Sequence, residues 1–134
     1  TVTLLSLQKG DGSEQLADCS FRHHFVGCQE EINQTWDFVE TAAMIANCHL
    51  VITSDTAVAH LAAGMGHPTW LLLTKAAEWR WGREGEHTFW YPSMRLFRQR
   101  EQGNWPEVME RVATALEVLL SHPEETDHQD LQST

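Results

Sequence analysis

The stretch His49-Leu50-Val51-Ile52-Thr53-Ser54-Asp55-Thr56-Ala57-Val58-Ala59-His60 decides the fold. Its apolar, β-branched opening lacks polar alternation, the pattern of a strand covered on both faces. Ser54-Asp55-Thr56 follows with three residues of the type that start helices. Val58, Leu61, Ala62 and Met65 then recur at helical spacing and predict the core side of that helix. Thr56, Ala59, His60 and Ala63 are expected on the opposite side. Gly64, Gly66 and Pro68 close the helix.

Outward from this unit the same alternation continues. Thr69 to Thr74 reads as a second buried strand, and Arg95-Leu96-Phe97-Arg98 as a shorter one. Asn104 and Glu107 bracket the start of a final helix with Val108, Val112, Ala115, Leu116 and Leu119 as its apolar stripe. Upstream, Asp37 and Glu40 resemble a capping box before Phe38, Ala42, Ile45 and Ala46. Val2 to Leu7 and His24 to Gly27 read as strands, with a short helix over 13–18. The order β-α-β-α-β-α-β-loop-β-α predicts an α/β fold, a parallel sheet with helices on both faces. One domain is expected over residues 1–121, followed by an acidic, disordered tail over 122–134.

Ligands of such sheets bind at the carboxyl ends of the strands. Gln8-Lys9-Gly10, Ser54-Asp55-Thr56 and Thr74-Lys75 all sit there. The start of the helix after Ser54 presents free amides and a positive dipole end, which suit an anion. His60, one turn beyond Thr56, is placed to meet a phosphate or sugar; the alternatives are a plain N-cap at Asp55 and a solvated His60. Gln8-Lys9-Gly10-Asp11-Gly12 is a phosphate contact or an ordinary turn. It is neither a dinucleotide fingerprint, because Gln15 stands where a third glycine is needed, nor a Walker A loop. That missing glycine weighs against a nicotinamide-dependent enzyme. Trp79-Arg80-Trp81 combines aromatic planes with a guanidinium, fit to stack a base or clamp a diphosphate, or else to pin a loop. Trp90, Tyr91 and Pro92 read as loop anchors, Trp70 as core and Trp105 as a helix-start anchor.

Composition narrows the function classes. The 134 residues carry 9 Lys+Arg against 19 Asp+Glu, a net charge of −10, which argues against a nucleic-acid binder. The charge is uneven: residues 1–48 hold two basic and seven acidic groups, and 49–121 hold seven and eight. Seven of the nine basic residues lie between Lys75 and Arg111, after the proposed anion site. No apolar run approaches the roughly 20 residues of a membrane span, and no signal peptide is visible. Cys19, Cys28 and Cys48 show no CxxC spacing, so a reduced, cytoplasmic setting is expected. No zinc spacing occurs among the eight His. The strand-like start without Met reads as a piece of a longer or processed protein.

Asp37-Phe38-x-x-Thr41-Ala42-Ala43-x-Ile45, the segment Leu50 to Ala62, and Gly66-x-Pro68-Thr69-Trp70-Leu71-Leu72-Leu73 together resemble the C-terminal half of GT-B glycosyltransferases. The nearest kin look like the heptosyltransferases and the glycosyltransferase domains attached to tetratricopeptide repeats. Ser6 to Gly10, Trp79-Arg80-Trp81, Trp90 to Ser93, Arg95 to Gln99 and Gly103-Asn104-Trp105 are similar to the repeat-linked subgroup. The resemblance implies a Rossmann-like donor domain binding a nucleotide-diphosphate sugar, with no metal and no further cofactor. It implies that the Asp55-Thr56-Ala57 amides hold the diphosphate, that Asp55 or His60 touches sugar or phosphate, and that Gln8 or Lys9 neutralises phosphate charge. Thr41 would lie beside the nucleoside. Ala57 replaces a glycine usual in heptosyltransferases. The implied partner is an N-terminal acceptor-binding or repeat domain, the source of the catalytic base. A binding or scaffold module of the same fold without turnover is the competing reading.

Overall fold

A computed structural model describes residues 2–122; the expected acidic tail lies almost wholly outside them. The described residues form two compact units, 2–49 and 50–122.

The regular elements of the first unit are short helices: α1 (Gln15–Asp18), a 3-10 turn (Arg22–His24), α2 (Gln29–Asn33) and α3 (Phe38–Ala46). The two strands expected here shrink to a single parallel bridge between Leu4 and Phe25. The Leu4 amide donates to the His24 carbonyl at 2.8 Å, and the Val26 amide to the Leu4 carbonyl at 2.9 Å. Two residues further on, a side chain replaces the ladder. The buried Gln29 amide takes the Ser6 N–H on Oε1 at 2.8 Å and donates from Nε2 to the Ser6 carbonyl at 2.7 Å. Helix α2, absent from the sequence reading, presents that glutamine. Asp37 caps α3 by accepting from the Val39 amide at 2.8 Å.

The second unit holds the sheet. Strands β1 (Val51–Ser54), β2 (Thr69–Leu73) and β3 (Met94–Arg98) lie parallel in the order β1-β2-β3. Val51 pairs with Thr69, and Thr69 with Met94. Successive side chains of a strand point to opposite faces, and β2 divides accordingly. Leu71 and Leu73 join Met94, Leu96, Trp81, Ala59 and Ala63 in one core cluster. Trp70 joins Phe97, Val108 and Val112 in the other, with its ring 5.2 Å from that of Phe97. Helices α4 (Ala57–Gly64) and α5 (Trp105–Ser121) supply these two layers. The expected parallel sheet with helices on both faces is present, with three strands.

The α4 face needs correction. Ala59, Ala62 and Ala63 are its buried residues, Val58 and Leu61 are half-buried, and Met65 is exposed. A wheel ranked by side-chain size selects the bulky positions, whereas the packed face is built from alanines that let the helix backbone lie close to the sheet. The helix ends in a Schellman arrangement: Gly66, at φ +75°, donates to the Ala63 carbonyl at 3.0 Å, and His67 to Ala62 at 3.0 Å.

Asn104 caps α5 through the Glu107 amide at 3.4 Å. Glu107 then grips Arg111 in two hydrogen bonds, Oε1 to Nε at 2.6 Å and Oε2 to Nη2 at 2.9 Å. Arg111 also donates to the Arg98 carbonyl at the end of β3. The Arg111 hydrogen bond holds the Glu107 carboxyl below its ordinary value of 4.5. A carboxylate whose pKa falls on folding adds stability above its unfolded pKa and loses it as pH drops through the folded one. Glu107→Gln is expected to flatten the acid limb of a stability-against-pH curve below about pH 4.5, leaving the neutral-to-alkaline limb parallel to wild type. A second expectation concerns α4. Ala59→Leu should lower stability by about 1–3 kcal/mol through overpacking, read from the urea midpoint, and Val58→Ala by clearly less.

Candidate functional site

The site is built where β1 ends. Ser54 is the last, exposed residue of β1, and Asp55 and Thr56 form the bend into α4. Thr56 is the N-cap residue, with extended φ −140° and ψ 173°, and its side chain makes no capping hydrogen bond. Its hydroxyl turns to the Ser54 carbonyl at 3.3 Å and the Thr53 hydroxyl at 3.2 Å. Asp55, for which a ligand contact and a plain N-cap were the two readings, makes no cap: its Oδ2 accepts the indole N–H of Trp81 at 2.9 Å. No side chain caps the first amides of α4, and the Ala59 amide donates to the Thr56 carbonyl at 3.1 Å.

His60, on the next turn of α4, is held on three sides. Its ring stacks on Trp81 at 5.5 Å with an interplanar angle of 26°. Tyr91 meets it edge-on at 5.8 Å, and the Tyr91 hydroxyl lies 3.0 Å from Nδ1. Nε2 looks toward Asp55 Oδ1 at 3.9 Å and Arg80 Nη1 at 3.5 Å. Arg80 also pairs with Glu78 at 3.3 Å and lies 5.9 Å over the Trp79 ring. His60, Trp79, Arg80, Trp90 and Tyr91 line an open hollow of about 610 Å³. A second hollow of about 600 Å³, between β3 and α5, is occupied by paired charges: Arg95 with Glu86, and Arg100 and Arg111 with Glu107.

The structure thus groups Asp55, Thr56, Ala57, His60, Trp79, Arg80 and Trp81 of the expected site residues. Trp81 changes role. It is only 2% exposed, so its ring faces the core and not a ligand, whereas Trp79 is 77% exposed. Gln8, Lys9, Gly10 and Thr41 belong to the first unit. There Gln8 Nε2 donates to the Asp11 carbonyl at 3.2 Å, and the carbonyl of Gly10, at φ +73°, accepts from Ser13 Oγ at 2.7 Å. The Lys9 ammonium donates to the Ile32 carbonyl, and burial lowers its pKa from the usual 10.5. The Thr41 hydroxyl is spent on the Asp37 carbonyl at 3.0 Å. The Gln8–Asp11 and Ser13–Gly10 bonds are local to the turn, whereas the Lys9–Ile32 bond ties it to the end of α2.

Tyr91, read only as a loop anchor, and Arg98, read only as a strand residue, make contacts that the sequence did not announce. Arg98, at the end of β3, donates to the carbonyls of Trp81, of Gly82 at 3.0 Å and of Gly85 at 3.0 Å, fastening the long β2–β3 connection. The partners of both residues are far off in sequence, so no local pattern announces them.

Residues 23–102 match glycosyltransferase family 9 (heptosyltransferase). The chain belongs to this family. Among curated relatives, Protein FlbA of Caulobacter vibrioides (strain ATCC 19089 / CIP 103742 / CB 15) is 38% identical over 120 residues. That alignment covers 86% of this chain and 19% of FlbA, so the chain spans about a fifth of that relative's length. No solved structure matches. The parallel α/β fold accords with family 9 membership. Among the described residues, no helix is long and apolar enough to cross a membrane.

The Trp81–Asp55 bond gives a direct expectation. Trp81→Phe keeps an aromatic ring in the core but strips the carboxylate of its donor. Loss of the bond and part of the ring should cost roughly 1–3 kcal/mol, measured by urea denaturation. Asp55→Asn, which retains an acceptor oxygen, should cost less.

Proposed function

We propose that the second unit is the donor-binding part of a glycosyltransferase and holds the diphosphate of a nucleotide sugar at the start of α4. The observation that carries this reading is the uncapped helix start. Asp55 would be expected to satisfy those amides, yet its carboxylate is committed to Trp81. An anion is the natural occupant of such a terminus. His60 and Arg80 flank it with nitrogen donors, and Ala57 adds no bulk beyond a methyl group. Family 9 membership supports sugar transfer as the reaction class. In that reaction charge develops on the departing diphosphate, and fixed dipoles and cations aimed at it lower the barrier. No metal and no further cofactor is required in this reading, and Trp79, exposed beside Arg80, is the natural contact for the nucleoside.

The same reading gives the chain a GT-B donor half, related to the domains attached to tetratricopeptide repeats. The acceptor site and the catalytic base then belong to sequence outside this chain, in keeping with the small share of FlbA that it covers.

A thermal-shift comparison of UDP-, GDP-, ADP- and CMP-sugars tests the proposal. A diphosphate donor at 100 times its Kd adds about 2.7 kcal/mol, a rise of roughly 10 °C in Tm for a chain of this size. CMP-sugars, with one phosphate, should shift it less. His60→Ala should weaken diphosphate binding by roughly 10- to 100-fold, the scale of a lost hydrogen bond to a charged group. A folded protein whose Tm moves with none of these nucleotides overturns the reading.

A further inference from the structure

We propose that Tyr91 is a positioning residue for His60, fixing the rotation and tautomer of the imidazole so that Nε2–H faces the start of α4. The inference deepens the donor-site reading and rests on it for its functional consequence.

Tyr91 is itself rigidly placed. Pro92 follows it and restricts its backbone to extended conformations. Its carbonyl accepts the Met94 amide at 3.1 Å, tying it to the first residue of β3. Its ring packs, half-buried, against the core cluster that contains Leu71, Trp81 and Leu96. From this mount the hydroxyl reaches across 31 residues of sequence to His60 Nδ1 at 3.0 Å.

The imidazole has little freedom left. Trp81 lies along one face, and Tyr91 closes one edge. Of the groups facing Nε2, the Asp55 carboxylate at 3.9 Å favours a hydrogen there. Arg80, at 3.5 Å, stands at the outer limit of a hydrogen bond and is drawn to Glu78 at 3.3 Å. Two arrangements satisfy the ring: Nδ1–H donating to Tyr91 with Nε2 accepting from Arg80, or the Tyr91 hydroxyl donating to Nδ1 with Nε2–H toward Asp55. The Asp55 charge and the competition of Glu78 for Arg80 favour the second. That hydrogen is then available to a phosphate oxygen at the α4 start, and the ring does not have to reorient when an anion arrives.

The test is Tyr91→Phe, which keeps the ring and its packing. The first readout is the tautomer of His60, from long-range ¹H–¹⁵N spectra at alkaline pH, with the signal assigned by its loss in His60→Gln. Wild type should show a single Nε2–H form, and Tyr91→Phe a mixture of both. The second readout is UDP affinity in a two-by-two cycle with His60→Gln. Tyr91→Phe alone should weaken binding by about 2- to 10-fold, the scale of one neutral hydrogen bond. The same change made on top of His60→Gln should have almost no further effect. Unchanged tautomer populations in Tyr91→Phe overturn the proposal, as does full additivity of the two substitutions. If wild type binds no nucleoside diphosphate, the donor reading fails, and the tautomer readout alone decides the role of Tyr91. Should Tyr91→Phe melt well below wild type, Tyr91→His and Tyr91→Gln, which retain a donor, must restore the single tautomer for the proposal to stand.

Discussion

Trp81 belongs to two systems at once. Its ring is part of the core cluster on one face of the sheet, packed with Leu71, Leu73, Met94 and Leu96. Its single N–H donates to Asp55 at the bend between β1 and α4. An indole has one donor and no acceptor, so this one bond satisfies the buried ring and draws the carboxylate off the helix end. The same ring is the floor on which His60 lies. Moving Trp81 would therefore disturb the core, the exposure of the α4 amides and the orientation of His60 together. Arg98 makes the placement stable by holding the carbonyls of Trp81, Gly82 and Gly85 from the end of β3.

The alanine face of α4 has a matching consequence. Ala59, Ala62 and Ala63 carry the helix close against the sheet. A close approach leaves room for the Trp81 ring in the same layer, where larger helix residues would fill the space. Interiors are packed to the density of organic crystals, so small helix residues and a large loop residue are complementary parts of one volume. This explains why a loop with little regular structure supplies the most important ring of the site.

Much of this was legible in the sequence, and the failures have particular causes. The strands β1, β2 and β3 and the helices α4 and α5 follow from runs of apolar residues with clear breaks. The start of α4 is also local, since it needs only a strand, a turn and backbone amides. Val2 to Leu7 failed as a strand because Gln29 supplies a side-chain amide where a neighbouring strand would have paired at Ser6. The composition of a segment does not tell which partner takes its backbone groups. Asp55 looked like a cap because its neighbour sequence suits one; the competing donor, Trp81, lies 26 residues away. Tyr91 was read as a loop anchor, which describes its ring and misses its hydroxyl.

The charge distribution follows the same division between local and distant. A net charge of −10 describes the whole chain and opposes anion binding only if it is felt at the site. Within 50–122 the seven basic and eight acidic residues nearly cancel. Several are neutralised in pairs: Glu78 with Arg80, Glu86 with Arg95, and Glu107 with Arg100 and Arg111. Paired charges act at range only as weak dipoles. What an anion meets at the start of α4 is thus set by the helix amides, Arg80 and His60 on one side and Asp55 on the other. Among the described residues, Asp55 is the carboxylate within 4 Å of His60, and its charge is already shared with the Trp81 N–H. Charge balance at the start of α4 is therefore local, and the net charge of the chain does not decide it.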